Sequence, residues 1–265
     1  MTQSSSLQST IDEIVVDVDG SVVVVTINRP AKANAVTQEM SAELERLAHA
    51  LNEDDAVRAI VISGAGERAF SAGSDISTLD QYETPWQFRN RRDYCDAWRT
   101  VRKPLIAAVN GYAFGGGLET ALICDIRLAS TTATFAAPEI KLGWIGGGGM
   151  SAMLAASVGQ SNAALMTMTG DAISAERALA WGLVSELVEP EALLPRAREL
   201  AAIIASRPPI AAETAKANLA AARNLPFDEA VQYEREMQAI TFATDDAHEG
   251  RAAFAEKRAP LFRRR

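Results

Sequence analysis

The stretch that decides the fold is Ala108-Val109-Asn110-Gly111-Tyr112-Ala113-Phe114-Gly115-Gly116-Gly117-Leu118-Glu119, which after a second short strand closes with Ala137-Pro138-Glu139-Ile140. A strand ending in three glycines can bring its backbone against a ligand, because no Cβ intervenes and unusual φ values cost little. A helix that starts at those glycines adds unpaired N–H groups and the positive end of its dipole at the same spot. Together these make an anion site out of backbone. Glu119 lies three residues past Gly116, one turn along the same helical face. Its neighbours Leu118, Ala121, Leu122, Ile123 and Cys124 are apolar, and a lone carboxylate buried among them is costly unless it serves a purpose.

Composition sets the class around that stretch. The chain has 265 residues, 48% hydrophobic and 23% charged, which suits a folded protein with a sizeable core. No apolar run approaches the ~18 residues of a membrane span. Residues 1–28 contain no Lys or Arg, which argues against a signal or transit peptide, so the expectation is a cytoplasmic protein with no membrane partner. Cys95 and Cys124 are too few for a disulfide framework or a thiolate zinc site and read as buried small hydrophobes. His49 falls in a charge-rich helix and His248 beside Asp245 and Asp246, so both read as surface residues. Metal and Ser-His chemistry are thereby disfavoured, and no metal site is expected. The net charge of −8 disfavours nucleic-acid binding, and an anionic ligand would need local basic groups.

Outward from the glycines, the chain alternates strands and helices up to about residue 190 and is helical thereafter. Residues 1–10 read as a disordered polar tail, 11–190 as a β/α core and 191–265 as a helical region. Residues 21–28 hold four consecutive valines and read as a buried strand. Thr37 is placed to cap a helix with an apolar stripe of Met40, Leu44, Leu47 and Leu51, and a strand follows at 59–63. That strand runs into Gly64-Ala65-Gly66-Glu67-Arg68-Ala69, on paper a dinucleotide fingerprint. The fingerprint needs a helix to begin inside the glycines, but residues 70–73 continue as loop. What the loop offers is an exposed N–H at Ser74, just past Gly73. A mixed helix is expected over 86–102. Gly146, Gly147, Gly148 and Gly149 lack the Lys-Ser/Thr pair of a phosphate loop and read as a tight, flexible turn before a helix through Met150, Met153 and Leu154. Ser161 and Ser174 read as helix caps, Gly182 as a stop before a strand at 183–188, and Arg263-Arg264-Arg265 as a frayed tail.

The chemistry suggested is proton transfer next to a carbonyl. N–H groups at Ser74 and Gly116 can bind an oxygen that gains negative charge, a device worth about 3–4 kcal/mol per donor. Glu119 and Glu139 remain to move protons. An apolar setting and a like-charged neighbour raise one carboxyl of such a pair, so that one member serves as acid and the other as base.

The chain resembles the enoyl-CoA hydratase/isomerase (crotonase) family. The resemblance rests on Asn28-Arg29-Pro30 with Asn34-Ala35, on residues 69–76, on residues 110–119, and on Pro138-Glu139, Thr169-Gly170 and Glu256-Lys257-Arg258, in order from about 12 to 262. It implies a crotonase-like α/β spiral of ββα turns, a helical C-terminal trimerisation region and a trimer or dimer of trimers. It also implies an acyl-CoA thioester substrate whose carbonyl oxygen meets the N–H groups of Ser74 and Gly116. Hydratases of the family use a glutamate pair, matched by Glu119 and Glu139, whereas isomerases commonly use a single carboxylate. The implied reaction is addition of water to a 2-trans-enoyl-CoA, with Glu119 deprotonating the water and Glu139 protonating the α-carbon. No redox cofactor is implied, because the thioester is the electron sink and coenzyme A is part of the substrate. The resemblance places Lys32, Ala33, Ala72, Asp75 and Ile76 along the coenzyme, Trp144 at the acyl pocket and Lys257 by the phosphates, reached across a subunit boundary. The residue 146–149 run and Met150-Ser151 depart from the Pro, mixed Gly/Ala turn and Gly-Thr common in family hydratases, which leaves the acyl group open. Competing readings are double-bond isomerisation, dehydration of a specialised 3-hydroxyacyl-CoA, and a non-catalytic RNA-binding scaffold, the last opposed by the negative charge and the acid pair.

Overall fold

A computed structural model of the protein describes residues 5–265. Two adjacent strands open its larger sheet. Ile14–Asp19 (β1) alternates buried and solvent-facing positions, as an edge strand with one wet face does, and pairs antiparallel with Val22–Ile27 (β2), where the four valines are all buried. The sheet therefore begins one strand earlier than the valine run suggests. Thr37 caps Gln38–Glu53 (α1) by accepting the Met40 N–H, and Met40, Leu44, Leu47 and Leu51 bury the expected stripe.

The chain then repeats one step three times. Ala59–Gly64 (β3) runs into the short strand Ala69–Ser71 (β4). After two helices, Pro85–Arg89 (α2) and Tyr94–Arg99 (α3), Leu105–Val109 (β5) runs into Tyr112–Phe114 (β6) and the helix Gly116–Ile123 (α4). Ile126–Ser130 (β7) runs into Thr134–Ala136 (β8), followed by Met150–Val158 (α5), Gln160–Thr169 (α6), Ile173–Ser174 (β9), Ala175–Ala180 (α7) and Glu186–Val188 (β10). The first strand of each step joins a six-stranded sheet in the order β1-β2-β3-β5-β7-β10 and the second a four-stranded sheet in the order β4-β6-β8-β9. From β2 onward the larger sheet is parallel. Its central strands β3 and β5 are buried along their whole length, which explains their unbroken apolar sequences. This is a spiral of strand-strand-helix turns, as the resemblance implies.

Pro190–Ala205 (α8) lays Leu193, Ala197, Ala201 and Ala205 over Val22, Val24, Ala59, Val61, Ile106, Ala108 and Leu128, sealing the far face of the larger sheet. Pro209–Asn224 (α9), Phe227–Phe242 (α10) and Asp245–Glu256 (α11) complete the chain.

Five local expectations change. The single helix expected over 86–102 is two, because the Thr84 capping box starts α2 and Asp93 caps α3 afresh through the Cys95 N–H. Gly159, not Ser161, caps α6, whereas Ser174 does cap α7 by accepting the Arg177 N–H. The strand expected over 183–188 is confined to β10. Within the N-terminal tail, residues 1–4 lie outside the described residues, but Leu7 is buried and Thr10 donates both its N–H and hydroxyl to Glu43. The terminal arginines are also tied down: the Arg263 and Arg264 amides donate to Asp246 at 2.6 and 2.9 Å, and Arg264 pairs with Glu213 and Asp55.

Candidate active site

Parallel pairing of β4, β6 and β8 decides where the candidate residues meet. Tyr112 pairs with Ala69 on one side and Thr134 on the other, so the carboxyl ends of three strands emerge side by side. Ser74 follows the first, Gly116 the second and Glu139 the third. Ligand sites form at such carboxyl ends because the chain leaves each strand there with free backbone groups.

At the first end, Gly73 has φ +88° and lies so close to Gly116 that an added Cβ would stand 2.6 Å from the Gly116 nitrogen. Val36 donates to the Gly73 carbonyl and Asp75 to the Val36 carbonyl, and a parallel bridge of this form turns the Ser74 N–H to the opposite side. At the second end, Gly115 has φ +55° and Gly116 is the first residue of α4, where a helix leaves its N–H unpaired. Neither amide donates to a backbone carbonyl among the described residues. Two adjacent N–H groups, one of them at a helix N-terminus, can hold an oxygen that becomes negative.

Glu119 is buried one turn into α4, its N–H bonded to the Gly115 carbonyl. Its Oε1 accepts the Gly148 N–H at 2.7 Å and the Met150 N–H at 3.1 Å, and the Cys95 thiol lies 3.9 Å from Oε2. The glycine run is thus the seat of this carboxylate, beyond the tight turn its sequence suggests. A Cβ on Gly148 would stand 2.6 Å from Glu119 Oε2, and one on Gly146 2.9 Å from Oε1. Burial raises the Glu119 carboxyl above its ordinary pKa, the two N–H donors work against that, and the charge of Glu139 adds to it. Glu139 begins the short helical turn Pro138–Leu142 and is half-buried, with its pKa raised by burial. Its Oε2 is buried with no hydrogen-bond partner. Two amides of the glycine run stabilise charge on Glu119; on Glu139 only its own backbone N–H does so, and Oε2 has no donor.

The remaining candidates divide. Ala33, with φ +50°, accepts the Ala72 N–H at 2.9 Å, and Asp75 pairs with Arg29 at 3.0 Å. The Ser77 hydrogen bond, outweighing burial and joined by Arg29, holds the Asp75 carboxyl below its ordinary range. Ala33, Ala72, Asp75 and Ile76 therefore form one rim next to Ser74, with Lys32 exposed beside it. Trp144 is exposed and donates its N–H to the Glu139 carbonyl. Lys257 ends α11 in a left-handed conformation, and among the described residues no side-chain hydrogen bond or ion pair ties it to the site. A cleft of about 1200 Å³ lies between α1 and the N-terminal segment and touches none of the candidates.

Sequence reasoning missed two neighbours, Tyr94 and Cys95. They open α3, and its Asp93 cap turns the tyrosine toward Ser74 and the cysteine toward Glu119. The Asp93-to-Cys95 capping spacing is the signal that locates that turn.

The family described as enoyl-CoA hydratase/isomerase matches residues 17–265. A probable mitochondrial enoyl-CoA hydratase of Dictyostelium discoideum is 40% identical over 92% of this chain and 88% of its own. The (E)-benzylidenesuccinyl-CoA hydratase of Thauera aromatica is 37% identical over 94% and 98%. The crystal structure of an enoyl-CoA hydratase from Bacillus anthracis superposes with a TM-score of 0.89 at 33% identity, covering 96% of this chain and all of that one. The protein belongs to the enoyl-CoA hydratase/isomerase family.

Proposed function

We propose that the protein is an enoyl-CoA hydratase, adding water reversibly to a 2-trans-enoyl-CoA to give the 3-hydroxyacyl-CoA. The observation that carries this reading is the unequal carboxylate pair beside two free amides. The Ser74 and Gly116 N–H groups hold the thioester oxygen as it becomes an enolate. Glu119, its anion supported by the Gly148 and Met150 N–H groups, takes the proton from the water attacking the β-carbon. Glu139, whose buried Oε2 has no donor to stabilise a charge, carries the proton delivered to the α-carbon. The thioester accepts the electron pair, so the step calls for no further cofactor.

Lys32, Ala33, Ala72, Asp75 and Ile76 line the route of the coenzyme, and Trp144 the acyl group. Lys257 reaches the phosphates from a neighbouring subunit of a trimer or dimer of trimers. Support for assembly comes from the large apolar side chains that α9, α10 and α11 expose, Phe227 and Phe254 most of all.

The test is product analysis with 2-enoyl-CoAs and 3-enoyl-CoAs of varied chain, including an aromatic one because of the Thauera relative's named substrate. Formation of 3-hydroxyacyl-CoA from the 2-enoyl series supports hydration. Interconversion of 2- and 3-enoyl-CoA without hydroxylated product would replace it with isomerisation.

A further inference from the structure

The two amides assigned to the thioester oxygen belong to different turns of the spiral. Ser74 sits in the loop after β4, bridged to Val36, and Gly116 at the start of α4, and the pairing of β4 with β6 ends before either. The Val36 bridge holds Ser74 from its other side and Gly73 packs against Gly116, but among the described residues no backbone hydrogen bond joins the two segments directly. One side chain touches both. Tyr94 reaches from the first turn of α3 so that its hydroxyl lies 3.3 Å from Ser74 Oγ. The same hydroxyl occupies the place of a Gly116 side chain, since a Cβ built there would stand 1.9 Å from it.

Tyr94 is itself held firmly. It is buried to 4% exposure, and Asp93, braced by Arg91 at 2.7 Å, caps the helix on which it stands. Ser74 and Gly116 lie against its hydroxyl, and burial, joined by the charges of Asp93 and Glu119, holds the phenol protonated. Burial keeps the phenol neutral, so beside a forming enolate it presents a dipole and no competing charge.

We propose that Tyr94 is a positioning residue for the oxyanion hole, its hydroxyl acting as a strut that ties Ser74 to Gly116 and fixes the distance between their N–H groups. The inference rests on the hydratase reading above. Its physical basis is that hydrogen-bond stabilisation of a developing charge falls off when donors are even slightly misplaced. Ser74 thus has two separable parts, an N–H facing the substrate and a hydroxyl facing the strut. The strut also explains why position 116 must lack a side chain, independently of helix geometry.

The experiment uses the full chain with a chromophoric aromatic enoyl-CoA, whose absorbance moves to longer wavelength as the thioester carbonyl is polarised. Tyr94→Phe deletes only the hydroxyl, and Ser74→Ala deletes only its partner while keeping the backbone donor. Each variant is expected to lose part of the red shift and about tenfold in kcat on crotonyl-CoA, with KM changed by no more than about twofold. The double variant is expected to be no worse than the poorer single one, because both remove the same tie. A full red shift with wild-type kcat in both single variants overturns the strut, as does a loss confined to KM, or strictly additive losses in the double variant. Wild-type protein that binds the chromophore without any red shift overturns the oxyanion-hole reading itself, and the strut with it.

Discussion

The carboxyl ends of β4, β6 and β8 and the helices α9 to α11 are built on opposite plans. At the strand ends nearly every atom is fixed from several directions, and added Cβ atoms at Gly73, Gly115, Gly116, Gly146 and Gly148 would all fall within 3.0 Å of another atom. In the C-terminal helices, α10 buries no residue and α9 only Pro209, while Phe227 is 81% and Phe254 88% exposed. Chemistry that depends on placing amides and carboxylates belongs where the backbone is over-determined. An apolar surface left open is instead the kind of face that another protein surface covers. One region should fail by small changes of shape, the other by changes of polarity that leave the fold alone.

Outside the two carboxylates themselves, the largest effect expected is at Gly148. Gly148→Ala puts a methyl group against Glu119 and Cys95 and should reduce kcat on crotonyl-CoA about 10²-fold, because the Glu119 carboxylate must leave its two amides. Gly147→Ala, one residue away with nothing within 4 Å of the added carbon, should change kcat by less than about twofold. Equal losses in the two variants would remove the special role assigned to the seat. Next comes Phe254→Glu. Its circular dichroism should match wild type while sedimentation shows a smaller assembly; an unchanged mass would show that this face is not an interface.

A smaller effect is expected from Arg264→Ala, which cuts the ties to Glu213 and Asp55 and should lower stability by about 1 kcal/mol in urea. No change in the urea midpoint would mean the tail is held by its backbone alone. The smallest concerns Glu43. Burial raises its carboxyl, but the Arg46 hydrogen bond and the Thr10 contacts outweigh burial and bring the pKa from 4.5 to about 2. Its contribution is present above pH 4.5 and is lost as pH falls through about 2. Protection of the Thr10 amide relative to its intrinsic exchange rate should therefore fall across that window in wild type, and should be low throughout in Glu43→Gln.

The same contrast explains how much could be read from the chain. A helix starting at the glycines, with Glu119 one turn in, follows from local spacing, and so do the Thr37 cap and the buried strand of four valines. Placing Ser74, Gly116 and Glu139 at one edge needs the strand-strand-helix repeat, which the family resemblance implies and local spacing does not. The seat of Glu119 is different. It depends on which amide of a four-glycine run arrives over the carboxylate, and glycines carry no periodicity to mark that. Tyr94 and Cys95 escape because their direction is set by the break at residues 90–93, where a new cap interrupts a helix that composition alone would continue. The terminal arginines read as frayed because their anchor, Asp246, lies 17 and 18 residues earlier in the chain.

The central claim is that Glu119 and Glu139 divide the proton transfers, and the pH dependence of kcat/KM with single Gln variants tests it most directly. Wild type should give a bell whose acid limb lies above the ordinary carboxyl value of 4.5, since both carboxyls are raised. Glu119→Gln and Glu139→Gln should each lose about 10³-fold in kcat/KM. Each should also lose one limb, the acid limb with Glu119 and the basic limb with Glu139. Wild-type activity in either variant, or a bell that survives both substitutions, would contradict the account.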